Sequence, residues 1–303
     1  MKNILDLLRC PHCGTPLTRP AEGGQKNLKC PAGHAFDLAK SGYVNLLPPG
    51  KEKNARSGDE REMVKAREEF LALGLYAGIT DTLASVAAES AAEASCHTVC
   101  DMGCGEGWHT RRFTKRFAEL TAAPVLTAGF DASKYAAERA CKCAVREGLM
   151  PASGIGAAHD APASAYFMPG NIFHLPVADH SVTLALSMFA PVAAEEAARI
   201  LTPDGLLIVV SSGKEHLLEL RRKIYDDVRL SDELPPVPDG FAEVVRKNHR
   251  YTADVPTRDA LAALFTMTPF YYKTTEAGRD RLLSSDLPFS VTVDVNYAVF
   301  RVK

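Results

Sequence analysis

The sequence has no run of about eighteen apolar residues, the length that a membrane-spanning helix needs. Its first ten residues, MKNILDLLRC, are too short and too charged for a signal peptide. Export and membrane insertion are therefore not expected, and the cytoplasm is the predicted location. In that reducing compartment, we expect the eight cysteines to be thiols or metal ligands rather than disulfides.

The chain also lacks an overall excess of either charge, since its net charge is −2. The charges are unevenly placed, however, because residues 1–56 carry a net charge of +5 and the remainder −7. A basic amino-terminal part on an acidic body is expected where only that part approaches a polyanion. Chance variation on a solvated surface is the alternative explanation.

Length and composition are those of an ordinary soluble globular protein. The chain has 303 residues, of which 46% are hydrophobic and 24% charged. This length allows one large domain with a small appendage, or two domains.

Two pairs of metal-binding residue types lie in the stretch CPHCGTPLTRPAEGGQKNLKCPAGHAFD. Cys10 and Cys13 flank one tight turn, and Cys30 and His34 flank a second turn rich in Pro and Gly. Three thiolates and one imidazole complete a closed tetrahedral zinc site, so we predict a structural zinc with His12 pointing away. Because the stretch has almost no core of its own, metal binding is expected to supply its folding energy. Unrelated loop cysteines are the alternative.

The stretch HTVCDMGCGEGWHTRRF places glycines at alternate positions between an apolar run and a predicted helix. Gly103, Gly105 and Gly107, which follow Asp101, let the backbone turn sharply and let a ligand approach it closely. A second apolar run ends in Asp131, where a carboxylate is placed to accept two hydrogen bonds from a ribose diol. A dinucleotide-binding G-x-G-x-x-G turn would need glycine at position 108, where the sequence has tryptophan.

This D-x-G-x-G-x-G turn and its second-strand acid resemble motif I of class I S-adenosylmethionine (SAM)-dependent methyltransferases, and the resemblance makes all five residues cofactor-binding. Further segments follow in that family's order. AYFMPGNIFHLPVADHSVTLALSMFAP predicts two strands, the second over 181–188, EEAARIL predicts a helix, and LLIVVSS predicts a strand after the turn TPDG. The resemblance implies an α/β, Rossmann-like fold with a mostly parallel seven-stranded sheet and helices on both faces. It also places Asn171 near the adenine.

Over nearly its full length the chain resembles the RlmA family of 23S rRNA (guanine-N1)-methyltransferases. The matching stretches are CPHCGTPL…CPAGHAFDLAKSGYVNLLP, AREEFLALGLY, DMGCGEGWHT, GFDASK, MFAP and GKEHLLELRRKIYDDV. The resemblance implies one structural zinc ion on the two metal-binding pairs and SAM beside Tyr76, Gly105, Glu106 and His216. It also implies a 23S rRNA hairpin as partner and suggests a homodimer.

On this basis we divide the chain into three parts. Residues 1–40 form a zinc-binding ribbon, 41–58 a basic linker, and 59–303 the methyltransferase domain. We predict that this domain begins with two helices, the second over 77–90, and ends with an antiparallel strand in FSVTVDVNYAVFRV. Residues 149–164, rich in Ala, Gly and Pro, look like a loop insertion without an obvious purpose.

The implied reaction is methyl transfer to N1 of a guanine. This atom lies on the base-pairing edge and carries a proton at neutral pH, so the base must be extruded and the proton must pass to a base or a solvent relay. The segment MFAP, residues 188–191, is where related enzymes line the acceptor pocket, but it offers no acid or base. Asp179 and His180 are candidates only because they are near in sequence, so the catalytic residue stays unassigned. The ribbon and linker are expected to hold the RNA backbone.

Two other functions stay open at this stage. The same fold methylates many small molecules, and the chain would then need no basic ribbon. A zinc-ribbon RNA-binding protein with an inactive methyltransferase domain is the second, against which the intact glycine turn and Asp131 argue.

Overall fold

A computed structural model describes residues 3–20, 27–47, 60–228, 230 and 234–303 of the chain. Its helices are α1 Ile4–Leu7, α2 Arg61–Leu71, α3 Ala77–Ser90, α4 Trp108–Thr121, α5 Lys134–Arg146, α6 Ala194–Ile200, α7 Leu218–Ile224, α8 Arg258–Thr266 and α9 Glu276–Leu283. Its strands are β1 Asn27–Lys29, β2 Ala35–Asp37, β3 His97–Met102, β4 Val125–Asp131, β5 Ala163–Pro169, β6 Val182–Met188, β7 Leu201–Ser212, β8 Phe241–Val255 and β9 Phe289–Val302.

Seven strands form one twisted sheet in the order β5-β4-β3-β6-β7-β9-β8, while β1 and β2 form a separate antiparallel pair in the ribbon. The strands β3 to β7 pair in parallel, and β9 lies antiparallel between β7 and β8. The prediction of a mostly parallel seven-stranded sheet is therefore confirmed. The antiparallel direction of the carboxy-terminal strand is confirmed as well.

Apolar layers cover both faces of this sheet, because successive residues of a strand point to opposite sides. Val99 and Leu184 belong to one buried cluster, which includes side chains of α2, α3, α4 and α8. Their neighbours Cys100 and Ala185 belong to the other cluster, which includes side chains of α5 and α6. The helices predicted on both faces are thus present, and the carboxyl ends of the parallel strands meet at one edge of the sheet.

Most of the predicted elements lie where the periodicity placed them. The second helix, α3, spans the predicted residues, and β6 begins one residue after the predicted start at 181. The strand β7 differs, because it begins at Leu201 and includes the segment TPDG that was predicted as a turn. Among the described residues, no helix is long and apolar enough to cross a membrane.

The ribbon, a name used from here on for the described residues up to 47, shares the core of the large domain. It has almost no core of its own, as expected, but the expectation that metal binding supplies its folding energy is incomplete. Its buried side chains join one cluster with Phe130 and Phe167 of the sheet. Each aliphatic side chain buried in this way contributes about 1.5–3 kcal/mol, so docking as well as metal binding stabilises the ribbon. The ribbon side chains in this cluster are Ile4, Leu7, Leu8, Cys10, Leu17, Leu28, Cys30, Val44 and Leu46.

The insertion at 149–164 forms hydrogen bonds and packing contacts with the ribbon. Arg19 of the ribbon donates through Nη1 to the carbonyl oxygens of Ser153 and Ile155, both at 3.1 Å. The amide of Ile155 in turn donates to the carbonyl oxygen of Gly42 at 3.0 Å, and the Ile155 side chain is fully buried. The segment for which the sequence suggested no purpose therefore holds the amino-terminal part in place.

Candidate active site and zinc cluster

Cys10, Cys13, Cys30 and His34 come together in the ribbon, with their ligand atoms all within 4.8 Å of one another. The sulfur atoms of Cys13 and Cys30 are 3.7 Å apart, and His34 Nδ1 lies 3.5 Å from Cys10 Sγ and 3.4 Å from Cys30 Sγ. A tetrahedron with usual zinc bond lengths has S···S edges of about 3.8 Å and S···N edges of about 3.6 Å. The cluster therefore fits one zinc ion.

Thr15 and His12 lie beside the four predicted zinc ligands. Thr15 Oγ1 lies 3.1 Å from Cys13 Sγ and lowers the pKa of that thiol to about 7, which favours the thiolate that binds metal. His12 is exposed and is not one of the clustered ligand residues, and its ring lies 4.9 Å from that of His34 and 5.8 Å from that of Phe36. That His12 points away from the metal stays a prediction.

The glycine turn follows β3 and is tied to the end of β4. The amides of Gly103 and Cys104 both donate to the carbonyl oxygen of Phe130, at 2.8 and 3.1 Å. Gly103, Gly105 and Gly107 have φ values of +96°, +55° and +74°, in the left-handed region that favours glycine. The turn thus needs glycine at each of the three predicted positions.

Close packing gives a second reason for glycine at the two outer positions. A Cβ atom on Gly107 would lie 2.6 Å from Cε1 of the buried Phe167. A Cβ atom on Gly103 would lie 2.7 Å from Cβ of Ala190, which follows β6. At Gly105 the nearest atom is Nη1 of Arg67 at 3.4 Å, so the middle of the turn has more room above its backbone.

Asp131 ends β4 beside this turn, as predicted. Its Oδ2 accepts a hydrogen bond from the amide of Gly105 at 2.9 Å, and its Oδ1 accepts from the amide of Ser133 at 2.8 Å. An ionised carboxylate has about four acceptor positions, so these two bonds orient Asp131 and still allow bonds to a ribose diol. Its cofactor contact stays a prediction.

Two buried acids lie within the same motif. Asp101 is 4% exposed, and its Oδ2 accepts from Thr110 Oγ1 at 2.5 Å while its Oδ1 has no partner. Glu106 is 3% exposed, and its unpartnered Oε2 lies 3.9 Å from Arg67 Nη1. Burial raises the pKa of Glu106 and raises that of Asp101 to about 7. Both carboxyls are therefore suited to a ligand that brings positive charge or donors.

Aromatic rings line another side of the candidate site. Tyr76, at the start of α3, is buried with an unpartnered hydroxyl, and its ring lies 6.0 Å from that of His216. His216 Nδ1 accepts from the amide of Asp294 at 3.3 Å, so the neutral ring carries its proton on Nε2. Burial lowers the pKa of His216 to about 4. The ring of Phe189 stacks on the other side of His216 at 6.0 Å.

Asn171 lies directly after β5, at the same edge of the sheet as the glycine turn. Its Oδ1 accepts from the amide of Phe173 at 3.0 Å, and its backbone pairs with His174. The side chain therefore closes a tight turn at the start of the loop between β5 and β6. Contact with an adenine stays a prediction.

The candidates Asp179 and His180 do not belong to this site, and their proposed role in proton transfer is wrong. Both directly precede β6, at the end of the sheet opposite to the glycine turn. Asp179 forms an ion pair with Arg199 at 2.5 Å, and His180 Nδ1 donates to the carbonyl oxygen of Leu201 at 2.9 Å. Nearness in sequence was misleading here because the loop between β5 and β6 runs from one end of the sheet's strands to the other.

Two residues of the site were not singled out from the sequence. Arg67, on α2, lies between Glu106 and the open face of Gly105. Phe189 is 46% exposed and has a φ of +51°, a backbone conformation that is uncommon for aromatic residues. An acid such as Glu106 in the turn indicates a cationic partner, but the sequence does not show that this partner is Arg67. The aromatic residue in MFAP indicates a stacking surface, but the sequence does not show where that surface lies.

Both the ribbon and the large domain match known protein families. A family model described as RlmA, N-terminal, matches residues 8–56, and a methyltransferase-domain model matches residues 100–209. The chain is 31% identical to a "23S rRNA (guanine(748)-N(1))-methyltransferase" of Streptomyces fradiae, covering 99% of this chain and 98% of the relative. It is 33% identical, with the same coverage, to a "Putative 23S rRNA (guanine-N(1)-)-methyltransferase" of Micromonospora griseorubida.

The chain belongs to the RlmA family. It is accordingly a SAM-dependent methyltransferase with a zinc ribbon. The residues of the site fit this cofactor, because three buried polar atoms have no hydrogen-bond partner in the described part of the chain: Tyr76 OH, Asp101 Oδ1 and Glu106 Oε2. Membership of the RlmA family therefore agrees with a polar, cation-accepting cleft at the carboxyl edge of the sheet.

Proposed function

We propose that this enzyme methylates N1 of a guanine in a hairpin of 23S rRNA, and that it does so in the cytoplasm. The observation that carries the proposal is full-length similarity to proteins bearing that name, which includes the ribbon as well as the catalytic domain. A small-molecule methyltransferase would not need a ribbon of this kind. No observation on the described residues favours an inactive domain, since the glycine turn and its acids are intact.

The cofactor would lie along the carboxyl edge of the sheet. When bound, SAM supplies a methyl group on a sulfonium centre, which an aligned nucleophile can displace in line. Asp131 would hold the ribose, Asn171 would lie beside the adenine, and Tyr76 would cover the methionine part. His216, with its proton on Nε2, would act as a hydrogen-bond donor there.

Phe189 is the residue that we assign to the acceptor base. It follows β6 directly, it is half-exposed, and its amide donates to the carbonyl oxygen of Val210 at 2.9 Å, which fixes the unusual backbone. An extruded guanine needs an aromatic surface to replace the stacking that it loses. The ring of Phe189 lies next to His216, so a base stacked on it would have its edge close to the methyl group.

The proton on guanine N1 leaves to solvent in this proposal. Neutral His216 does not accept it, because Nδ1 already accepts from a backbone amide and Nε2 carries hydrogen. Asp179 and His180 lie at the other end of the sheet. Phe189 is 46% exposed, so water beside it can take the proton during transfer.

The ribbon and linker would hold the RNA backbone, with fewer basic side chains than the sequence suggests. Arg9 and Arg19 donate to backbone carbonyls within the protein, whereas Lys40 is exposed. The basic linker residues lie outside the described part of the chain, and their role stays a proposal: Lys51, Lys53 and Arg56. Neutralising these three should make the salt dependence of RNA binding shallower by about one unit of slope per lost phosphate contact. An unaltered slope would remove the linker from the interface.

The direct test is mass mapping of 23S rRNA after incubation with the protein and isotope-labelled SAM. We expect one methyl group on N1 of a guanine in a hairpin. A parallel incubation with Gly107→Ala protein controls for contaminating activity. Label on another atom, or label on small molecules of an extract but none on the RNA, would refute the proposal.

A further inference from the structure

The ribbon pairs with the loop between β5 and β6, residues 170–181, here called the connecting loop. The amide of Arg9 donates to the carbonyl oxygen of Pro176, and the amide of Ala178 donates to that of Leu7, both at 2.8 Å. These two bonds make a short antiparallel bridge between the ribbon and the loop. The ribbon is thus bonded to the segment that begins with the predicted adenine-binding residue.

Two other contacts fix the loop on its remaining sides. The amide of Leu46, near the end of the ribbon, donates to the carbonyl oxygen of Pro169 at 3.2 Å, directly before the loop begins. From the large domain, Arg199 on α6 donates through Nη1 to the carbonyl oxygen of Val177 at 2.7 Å. The connecting loop therefore lies between α6 and the ribbon. Its backbone groups form hydrogen bonds with both, and neither the helix nor the ribbon alone provides all of these bonds.

We propose that the docked ribbon is a structural part of the cofactor site, because it keeps the connecting loop in the conformation that binds the adenine. A loop that is already ordered does not lose conformational entropy when the ligand binds, which raises affinity. The inference rests on the proposed placement of the adenine beside Asn171. It gives the ribbon a second role, in SAM binding, that does not depend on RNA.

One contact allows the docking to be weakened without touching the zinc ligands or the loop. The backbones of Gly42 in the ribbon and Gly154 in the insertion pack directly together, and a Cβ on Gly154 would lie 2.8 Å from both Cα and O of Gly42. Gly148 has a similar backbone, with a φ of +71° against +84°, but its Cβ would meet no atom within 4 Å. Gly148→Ala is therefore a matched control for Gly154→Ala, with similar backbone strain and no collision.

The experiment measures the affinity for S-adenosylhomocysteine by calorimetry and the amide hydrogen exchange of residues 170–178, on full-length zinc-loaded protein. Gly154→Ala should bind about threefold to tenfold more weakly than Gly148→Ala, the factor expected for losing one backbone hydrogen bond. Exchange in the loop should be faster in Gly154→Ala only. Equal affinities in the two variants would overturn the proposal, whatever the exchange shows.

A second pair covers the case that Gly154→Ala does not fold. Arg9→Pro removes the amide that bonds Pro176, whereas Arg9→Ala removes the same side chain and keeps the amide. The proline variant should bind S-adenosylhomocysteine about threefold to tenfold more weakly than the alanine variant, with equal zinc content. Equal binding overturns the proposal. Because no RNA is present, a wild-type protein that binds the ligand but modifies no rRNA would refute only the proposed function.

Discussion

Replacing Asp101 by asparagine should change how the stability of the protein depends on pH. The carboxyl is 4% exposed, and one of its oxygens has no hydrogen-bond partner. Burial, with a smaller contribution from the neighbouring acids Asp131 and Glu106, raises the pKa of Asp101 from 3.8 to about 7, against the lowering effect of the Thr110 hydroxyl. Asparagine has nearly the same shape but no ionisation in this range, so the substitution isolates one titration.

The sign follows from the order of the two pKa values. Because the pKa of Asp101 is higher in the folded state than in the unfolded chain, the protonated form stabilises the fold. This contribution is complete below pH 4 and is lost as the pH rises to about 7. The difference between the pKa values corresponds to about 4 kcal/mol in total, of which about 3 kcal/mol is lost between pH 5 and pH 8.

The assay is urea unfolding of the wild-type protein and of Asp101→Asn at pH 5, 6, 7 and 8, without cofactor. The free energy of unfolding of the wild-type protein should fall relative to that of the variant by about 3 kcal/mol over this range. Contributions of groups that do not interact with Asp101 occur in both proteins and cancel in the difference. A difference that stays constant to within about 0.5 kcal/mol would refute the account of Asp101 as a buried, proton-retaining acid.

Three further results are expected. Gly107→Ala should lower the free energy of unfolding by about 2–5 kcal/mol, because the strain of a left-handed backbone adds to a collision with buried Phe167. Gly148→Ala should lower it only by the backbone strain, about 1–2 kcal/mol. Urea unfolding of both variants tests this. Metal analysis should find one equivalent of zinc in the wild-type protein and less in Cys10→Ser, and equal zinc in both would exclude this ligand. Phe189→Leu should lower kcat/KM for rRNA about tenfold with unchanged affinity for S-adenosylhomocysteine, and an unchanged rate would exclude base stacking there.

Local patterns predicted those parts of the site that follow directly from a strand. The glycine turn comes after β3 and Asp131 ends β4, and parallel strands end at one edge of the sheet. Asn171, after β5, was placed at this edge by family resemblance. A regular period and a short turn fix these positions without knowledge of distant contacts. The same logic gave the zinc ligands, since each pair of ligands flanks a turn of its own.

Contacts made across the chain were not predictable in this way. Arg67 reaches Glu106 because α2 packs over the turn, and the sequence of α2 alone contains several equivalent charges. Tyr76 and His216 were placed at the cofactor by family resemblance, and the structure does bring their rings together. The choice of Asp179 and His180 failed because distance along the chain says little about a loop that crosses the sheet.

The docking of the ribbon also changes what its charge means. Arg9 and Arg19 count towards the net charge of +5 in residues 1–56, but both guanidinium groups donate to carbonyl oxygens inside the protein. Moving them to phosphate groups would cost the bonds that hold the ribbon to the insertion and to its own helix turn. In the proposed function, the ribbon would therefore approach RNA through its other basic residues, such as Lys40, while Arg19 keeps its bonds to the insertion. A docked ribbon would present those residues at a set distance from the proposed cofactor site, which is what the proposed positioning of one guanine requires.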